Sequence, residues 1–261
     1  MASQPGIECV VVDYGCPDGA ADWVEARFPG VKVVRVKGVD GFNASHARNL
    51  GAQHASSPWL AFFDADILLA EDFFAKAAPL LAPGHYYRPD SVTLQTWGSF
   101  IGHREDFRRA GGYDESYAGW GGEDDDLFAM FGLLGVQPAG FPAAWVGEIA
   151  HDDELRTRYA AVKDRRMQSR MNQFYLGVKL DFIRLNGKWL ERNDAAAVFS
   201  QIQQIVVRAE SAGQASYHVD IAFPPQVVPS CAQDRKIDLA EVTRTIRYAV
   251  RIVGEVPGPG S

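Results

Sequence analysis

The segment GWGGEDDDLF (Gly119–Phe128) sets four consecutive carboxylates, Glu123, Asp124, Asp125 and Asp126, behind two glycines and a tryptophan. Such charges repel one another unless something holds them. The first turn of a helix, with its unpaired N–H groups and positive dipole end, accounts for one or two of them. It does not account for four beside Trp120, Gly121 and Gly122. A carboxylate kept at a helix start is suited to act as general base toward a hydroxyl. Trp120 offers a flat apolar face for a sugar ring, and the two glycines permit close backbone approach. A second acidic pair lies in FFDADILL, where Asp64 and Asp66 stand two residues apart. At the end of a strand they would point to one side as two hard oxygen ligands for Mn²⁺ or Mg²⁺. His151 in GEIAHDDE is a third candidate ligand and suits Mn²⁺ better than Mg²⁺.

These groups need a scaffold. IECVVVDYG (Ile7–Gly15) reads as a buried parallel strand, DGAADWVEARF (Asp18–Phe28) as a helix capped by Asp18 or a neighbour, and VKVVRV (Val31–Val36) as a second strand. Asn43–Ala55 reads as a helix, Trp59–Asp66 as a third strand and Ala70–Leu81 as a helix. This alternation predicts an α/β fold with a mostly parallel sheet, whose ligands lie at the carboxyl ends of the strands. Asp13 and the Asp64/Asp66 pair would share that rim. Beyond residue 85 the pattern changes to mixed strands and loops. Asp125–Gly135 reads as a helix burying Leu127, Met130, Phe131 and Leu134. Residues 152–185 read as a basic helix followed by a short strand, Tyr217–Pro224 as a strand, and Asp238–Val253 as an amphipathic helix. The basic face Arg156–Arg170 reads as solvated; Arg48 is the better phosphate candidate.

With 261 residues and 47% hydrophobic content, the chain suffices for one sizeable α/β domain, with or without an appendage. A net charge of −7 argues against a nucleic-acid partner. Three cysteines without a CxxC pattern point to a reducing compartment. The absence of a leader pattern or a long apolar run leads to the expectation of a cytoplasmic protein with no membrane span.

These motifs resemble a family. VVVDYGCPDG, FNASHARNLG, FFDAD and TWGSFIGHREDFRRAGGYDESYAGWGGEDDDLF are similar to segments of the GT-A-fold nucleotide-sugar glycosyltransferases, nearest the β-1,4-galactosyltransferases and the polypeptide GalNAc-transferases. The GWGGEDDDLF match is specific; D-x-D alone is not. The likeness covers about residues 7–170, within a core placed at 1–185. It implies a GT-A (Rossmann-like) fold, a UDP-sugar donor of galactose or GalNAc type, and Mn²⁺. The acceptor would be a glycan, peptide or small molecule. By position, Asp66 and His151 would ligate the metal, and Asp64 the metal or ribose. Asp13, Phe42 and Arg48 would contact the nucleotide. Trp97, Trp120, Gly121, Gly122 and Asp125 would line the sugar site, with Glu123 and Asp124 on the acceptor and Asp124 as base.

The family normally opens with one further strand and helix. The C-terminal segment 186–261, with a strand and helix over 217–253, is a candidate to supply them by circular permutation. The competing reading of the whole chain is a carbohydrate- or nucleotide-binding module of the same fold without turnover. A third, a metal-dependent phosphohydrolase, is disfavoured because Leu68 stands where its motif has Thr or Val.

Overall fold

The computed structural model describes residues 6–39, 41–93, 95–149, 164–223, 226–228, 240–242 and 245–251. The chain divides into two compact units, Met1–Arg165 and Arg166–Ser261.

The first unit starts with β1 (Val10–Asp13), α1 (Ala20–Arg27) and β2 (Lys32–Arg35). The strands pair in parallel from Val10 opposite Lys32 to Asp13 opposite Arg35, so α1 makes the crossover that parallel strands require. The expected Asp18 cap does not form: the residue before α1 is Gly19 at φ 69°, with no side-chain cap. A left-handed backbone there favours glycine. Next, α2 (Ala44–His54) starts at Asn43, whose side chain accepts from His46 N–H and closes the first turn.

β3 (Trp59–Phe62) ends before the acidic pair. Ile67 N–H donates to Asp64 C=O at 3.0 Å, closing a turn over residues 64–67 that leads into β4 (Ile67–Leu69). The D-x-D pair therefore lies on a turn, and strand alternation does not set its geometry. α3 (Phe73–Ala77) is shorter than expected and gives way to a 3₁₀ turn over Ala78–Leu80, where Pro79 lacks the N–H that an α-helix would use.

The central sheet joins β3, β6 (Phe100–His103), β5 (His85–Pro89) and β7 (Gln137–Phe141) in that order. β5 and β7 run parallel; β6 runs antiparallel to both β3 and β5. β4 pairs antiparallel with β8 (Val146–Glu148). The sheets are mixed, with more antiparallel pairing than strand–helix alternation alone suggests. After the short α4 (Arg104–Arg109) comes α5 (Glu123–Leu133), which buries Leu127, Met130 and Phe131. Phe128 stacks on Tyr86 at 5.1 Å, and Phe131 meets Phe100 edge-on at 5.9 Å, which fixes α5 over β5 and β6. Each of those buried side chains contributes about 1.5–3 kcal/mol. Phe73, Tyr87, Ile101 and Phe141 make a further core cluster.

The second unit holds α6 (Arg165–Asn186) and α7 (Arg192–Ser211). The short strand expected before residue 185 is absent because the helical period persists: Met171, Tyr175, Val178 and Phe182 are all buried along one face. β9 (Ser216–Ala222) pairs antiparallel with β12 (Thr245–Arg251), and β10 (Gln226–Val228) with β11 (Ala240–Val242). The helix expected over 238–253 is thus strand wherever it is described. Ile246, Tyr248 and Val250 alternate with Arg247 and Ala249, a period of two. With strand at 240–242 and 245–251, the helix that a permuted strand–helix unit needs is not formed among the described residues. Among those residues no helix is long and apolar enough to cross a membrane.

Candidate active site

Three glycines with positive φ, Gly119 at 77°, Gly121 at 85° and Gly122 at 95°, turn the chain into α5. Gly122 occupies the cap position, and all four acids fall in the first helical turn. Asp124 and Asp126 are buried there.

The counter-charge comes from α2. Arg48 donates to Glu123 Oε1 at 3.0 Å and to Asp64 Oδ1 at 2.8 Å, and its guanidinium lies 3.6 Å from Asp124 Oδ1. Its side chain is 17% exposed, against 12% for both Glu123 and Asp124. Burial opposes the charge on Arg48, but Asp124, Asp64 and Glu123 outweigh it and hold its pKa well above the ordinary arginine value. Arg48, expected as a nucleotide contact, has carboxylates as its hydrogen-bond partners here. It ties the D-x-D turn to the start of α5.

Asp124 is strongly perturbed. Burial pushes its carboxyl up to about 7, and the neighbouring charges of Glu123 and Asp64 add to the rise. Arg48 and the Tyr113 hydroxyl, which donates to Asp124 Oδ1 at 3.1 Å, work the other way. Tyr113 is itself 1% exposed, and burial with the adjacent Asp124 charge moves its hydroxyl well above the usual tyrosine range. Gly98 completes the enclosure: a Cβ there would stand 2.6 Å from Asp124 Oδ2. Asn49, 5% exposed, fixes the loop carrying Tyr113 by donating to Tyr113 C=O and accepting from Tyr113 N–H, both at 2.9 Å. Tyr113, Gly98 and Asn49 escaped the sequence reading. They lie inside the quoted segments, but nothing local marks contacts made across 64 positions.

Asp125 accepts from Trp97 Nε1 at 2.9 Å, so the two expected sugar-site residues do meet. The Arg165 guanidinium lies 3.9 Å from the centre of the Trp120 ring. Asp13 and Phe42 belong to a second group. Asp13 Oδ1 accepts from Cys16 N–H at 2.8 Å at the end of β1. Phe42, 57% exposed, sets its ring edge-on to Tyr14 at 5.4 Å, and the Tyr14 hydroxyl is 2.8 Å from His46 Nδ1.

Asp64 and Asp66 supply carboxylate oxygens from one turn, a donor set that suits a hard divalent cation. Ile149 N–H donates to Asp66 C=O at 2.8 Å, which brings the chain leaving β8 alongside the acidic turn. His151 lies outside the described residues. Among the described residues no three His, Cys, Asp or Glu side chains gather closely enough to hold a metal; the two aspartates are a partial set.

Residues 2–116 match the family model described as glycosyl transferase family 2, and residues 84–155 the model described as the N-terminal domain of galactosyltransferase. Among solved structures, that of GalNAc-T7 with UDP, GalNAc and Mn²⁺ superposes with a TM-score of 0.52 at 17% identity, covering 79% of this chain and 48% of that one. The fold is that of a GT-A glycosyltransferase. Within this GT-A chain, 104 residues are 32% identical to β-1,4-galactosyltransferase 7 of Drosophila melanogaster, covering 37% of the chain and 32% of that protein. Another 29% identity over 96 residues links it to the glycosyltransferase SunS of Bacillus subtilis (strain 168), over 37% of the chain and 22% of the relative. The GT-A chain thus spans about a third or less of the length of these two curated relatives.

Proposed function

We propose that the chain is a metal-dependent glycosyltransferase that moves a sugar, of galactose or GalNAc type, from a UDP-sugar to an acceptor hydroxyl, with Asp124 as general base. The observation that carries this reading is the setting of Asp124. Its carboxyl is buried at a helix start, beside Arg48 and under the Tyr113 hydroxyl, and is pushed up to about 7. A base with that affinity for a proton is half ionised near neutral pH and can both accept and release one.

In the proposed reaction, ionised Asp124 takes the proton of an acceptor hydroxyl as that oxygen bonds to the anomeric carbon and the bond to UDP breaks. Arg48 keeps Asp124 and Glu123 in place during the transfer, and Tyr113 orients the receiving oxygen. Trp97 and Trp120 provide ring faces for sugar, while Asp125, held by Trp97, accepts from sugar hydroxyls. Asp13 and Phe42 border the nucleotide, with Tyr14 and His46 behind them. Asp64, Asp66 and His151 would hold Mn²⁺, which when bound neutralises the diphosphate and stabilises the leaving UDP. The matched galactosyltransferase segment and the UDP and Mn²⁺ in the GalNAc-T7 structure support this reading.

The test compares wild type with Asp124→Asn. UDP release from UDP-galactose or UDP-GalNAc with Mn²⁺ should fall by a factor of about 10²–10⁴ in the variant, the range for loss of a general base. The thermal shift produced by UDP and Mn²⁺ should survive. A wild-type protein that binds UDP with Mn²⁺ but releases none from any UDP-sugar and acceptor pair would favour the binding-module reading. Equal turnover by both proteins would remove Asp124 from its role.

A further inference from the structure

Arg88 lies on β5 and belongs to none of the motifs. Its guanidinium is packed between two aromatic rings, 4.6 Å from the centre of Trp97 and 4.4 Å from that of Phe128. It also donates to the Trp97 carbonyl at 2.7 Å. Trp97 in turn donates through Nε1 to Asp125 Oδ1 at 2.9 Å, while 41% of the residue stays exposed. Among the described residues the Arg88 Nε has no hydrogen-bond partner, and no carboxylate takes the guanidinium in an ion pair. An arginine there to neutralise the acids of α5 would donate to them directly. This one spends its contacts on one ring, the carbonyl of that same tryptophan, and a ring from α5.

We infer that Arg88 is a positioning residue: stacked between Phe128 and Trp97, it fixes the Trp97 ring as a sugar platform and, through the Trp97 indole, the rotamer of Asp125. A planar cation suits this role. It covers one face of the indole by cation–π attraction and is backed by Phe128, which α5 holds rigidly. With Arg88 on one face, the exposed part of Trp97 is the opposite face and the rim. The negative face of an aromatic ring attracts the weakly positive C–H groups of a pyranose. Asp125, oriented by the indole N–H, stands beside that face as an acceptor for sugar hydroxyls. β5 and α5 are joined by the Tyr86–Phe128 stack, so the platform is anchored to the central sheet. The ligand class is a sugar whose apolar face meets Trp97 and whose hydroxyl meets Asp125, and the sugar's part in the inference rests on the glycosyltransferase reading.

Two measurements on Arg88→Met test it, since methionine keeps an apolar stem and loses the planar charge. The first is the indole ¹⁵N–¹H resonance of Trp97, assigned with Trp97→Phe; it should shift or broaden in Arg88→Met. The second uses UDP-galactose with xylobiose or N-acetylglucosamine as acceptor. The acceptor KM should rise about tenfold, the scale of a lost cation–π contact with its hydrogen bond, while kcat stays within about twofold. The thermal shift from UDP and Mn²⁺ should not change. An unmoved indole resonance, or a fall in kcat at constant KM, would overturn the inference. A wild type that releases no UDP with any acceptor would instead defeat the glycosyltransferase reading, and the indole resonance alone would then decide the role of Arg88. Should Arg88→Met fail to fold, Arg88→Lys keeps charge and stem, loses the planar stack, and gives the same two readings.

Discussion

As the proposed base, Asp124 would link turnover to stability, and pH separates the two. Its carboxyl titrates near 7 in the folded chain, against about 3.9 when unfolded. Between those values the folded state keeps a proton that the unfolded state has released. The sign follows: stability is highest below about 4, falls as pH rises through the window, and is lost in full above about 7. The whole gap corresponds to roughly 4 kcal/mol, and the part crossed between pH 5.5 and 8.5 to about 2 kcal/mol. Asp124→Asn is nearly isosteric, leaves the Tyr113 hydroxyl an acceptor, and carries no proton to lose. Urea unfolding at pH 5.5, 7 and 8.5 should therefore show wild type losing about 2 kcal/mol more than Asp124→Asn across the range. Histidines and other titrating groups are common to both proteins and cancel in the difference. The same ionisation should appear in turnover, with kcat/KM rising about tenfold per pH unit below 7 and levelling above it. Stability curves that stay parallel within about 0.5 kcal/mol would refute the reasoning, because the carboxyl would then titrate alike in both states.

The other expectations concern the neighbours of Asp124. Tyr113→Phe removes a hydrogen bond that favours the ionised carboxylate, so the activity profile should move to higher pH, as read from kcat/KM across pH 5.5–9. Gly98→Ala would drive a methyl to 2.6 Å from Asp124 Oδ2; overpacking of this kind costs about 1–3 kcal/mol, and thermal melts should show it together with lost turnover. Arg48→Met leaves Glu123 and Asp124 without their guanidinium, and chemical unfolding should register about 3–5 kcal/mol of destabilisation. Asp66→Asn should abolish the Mn²⁺-dependent part of the UDP thermal shift, read as the difference between melts of the same variant with and without Mn²⁺.

The elements of the first unit were legible where local signals agree. The valines of β1, the Asn43–Ala55 span that holds α2 and the apolar face of α5 each rest on residues within a few turns or one strand. The acids of GWGGEDDDLF marked a candidate site for the same reason, since four like charges at a glycine-rich helix start conflict with local stability alone. Tertiary placement was not legible. Arg48 reads as a phosphate ligand on its helix, and only the approach of residues 16 and 75 positions away shows it gripping carboxylates. Strand β3 ended early because the turn hydrogen bond at Asp64 takes over from the ladder. The stretch 245–251 carries both alternation and a partial helical face, and pairing with β9 decides for the strand. Arg88 had no signature at all, because a cation between two rings is a property of three separate elements.

The route of α2 through the site has a consequence for how the protein is made. Arg48 and Asn49 leave the ribosome long before Glu123 and Tyr113, which complete their contacts 75 and 64 positions later, with Asp64 alone reaching Arg48 sooner. Contacts of such separation carry a loop-closure cost and form late. During synthesis at about 5–20 residues per second, the gap lasts several seconds. Over that interval the β1–α1–β2–α2 segment must persist with its polar groups turned to water. The candidate site is therefore also the seal on folding: a chain stopped short of Glu123 and Asp124 lacks the acids of α5 that Arg48 holds and has not closed its first unit.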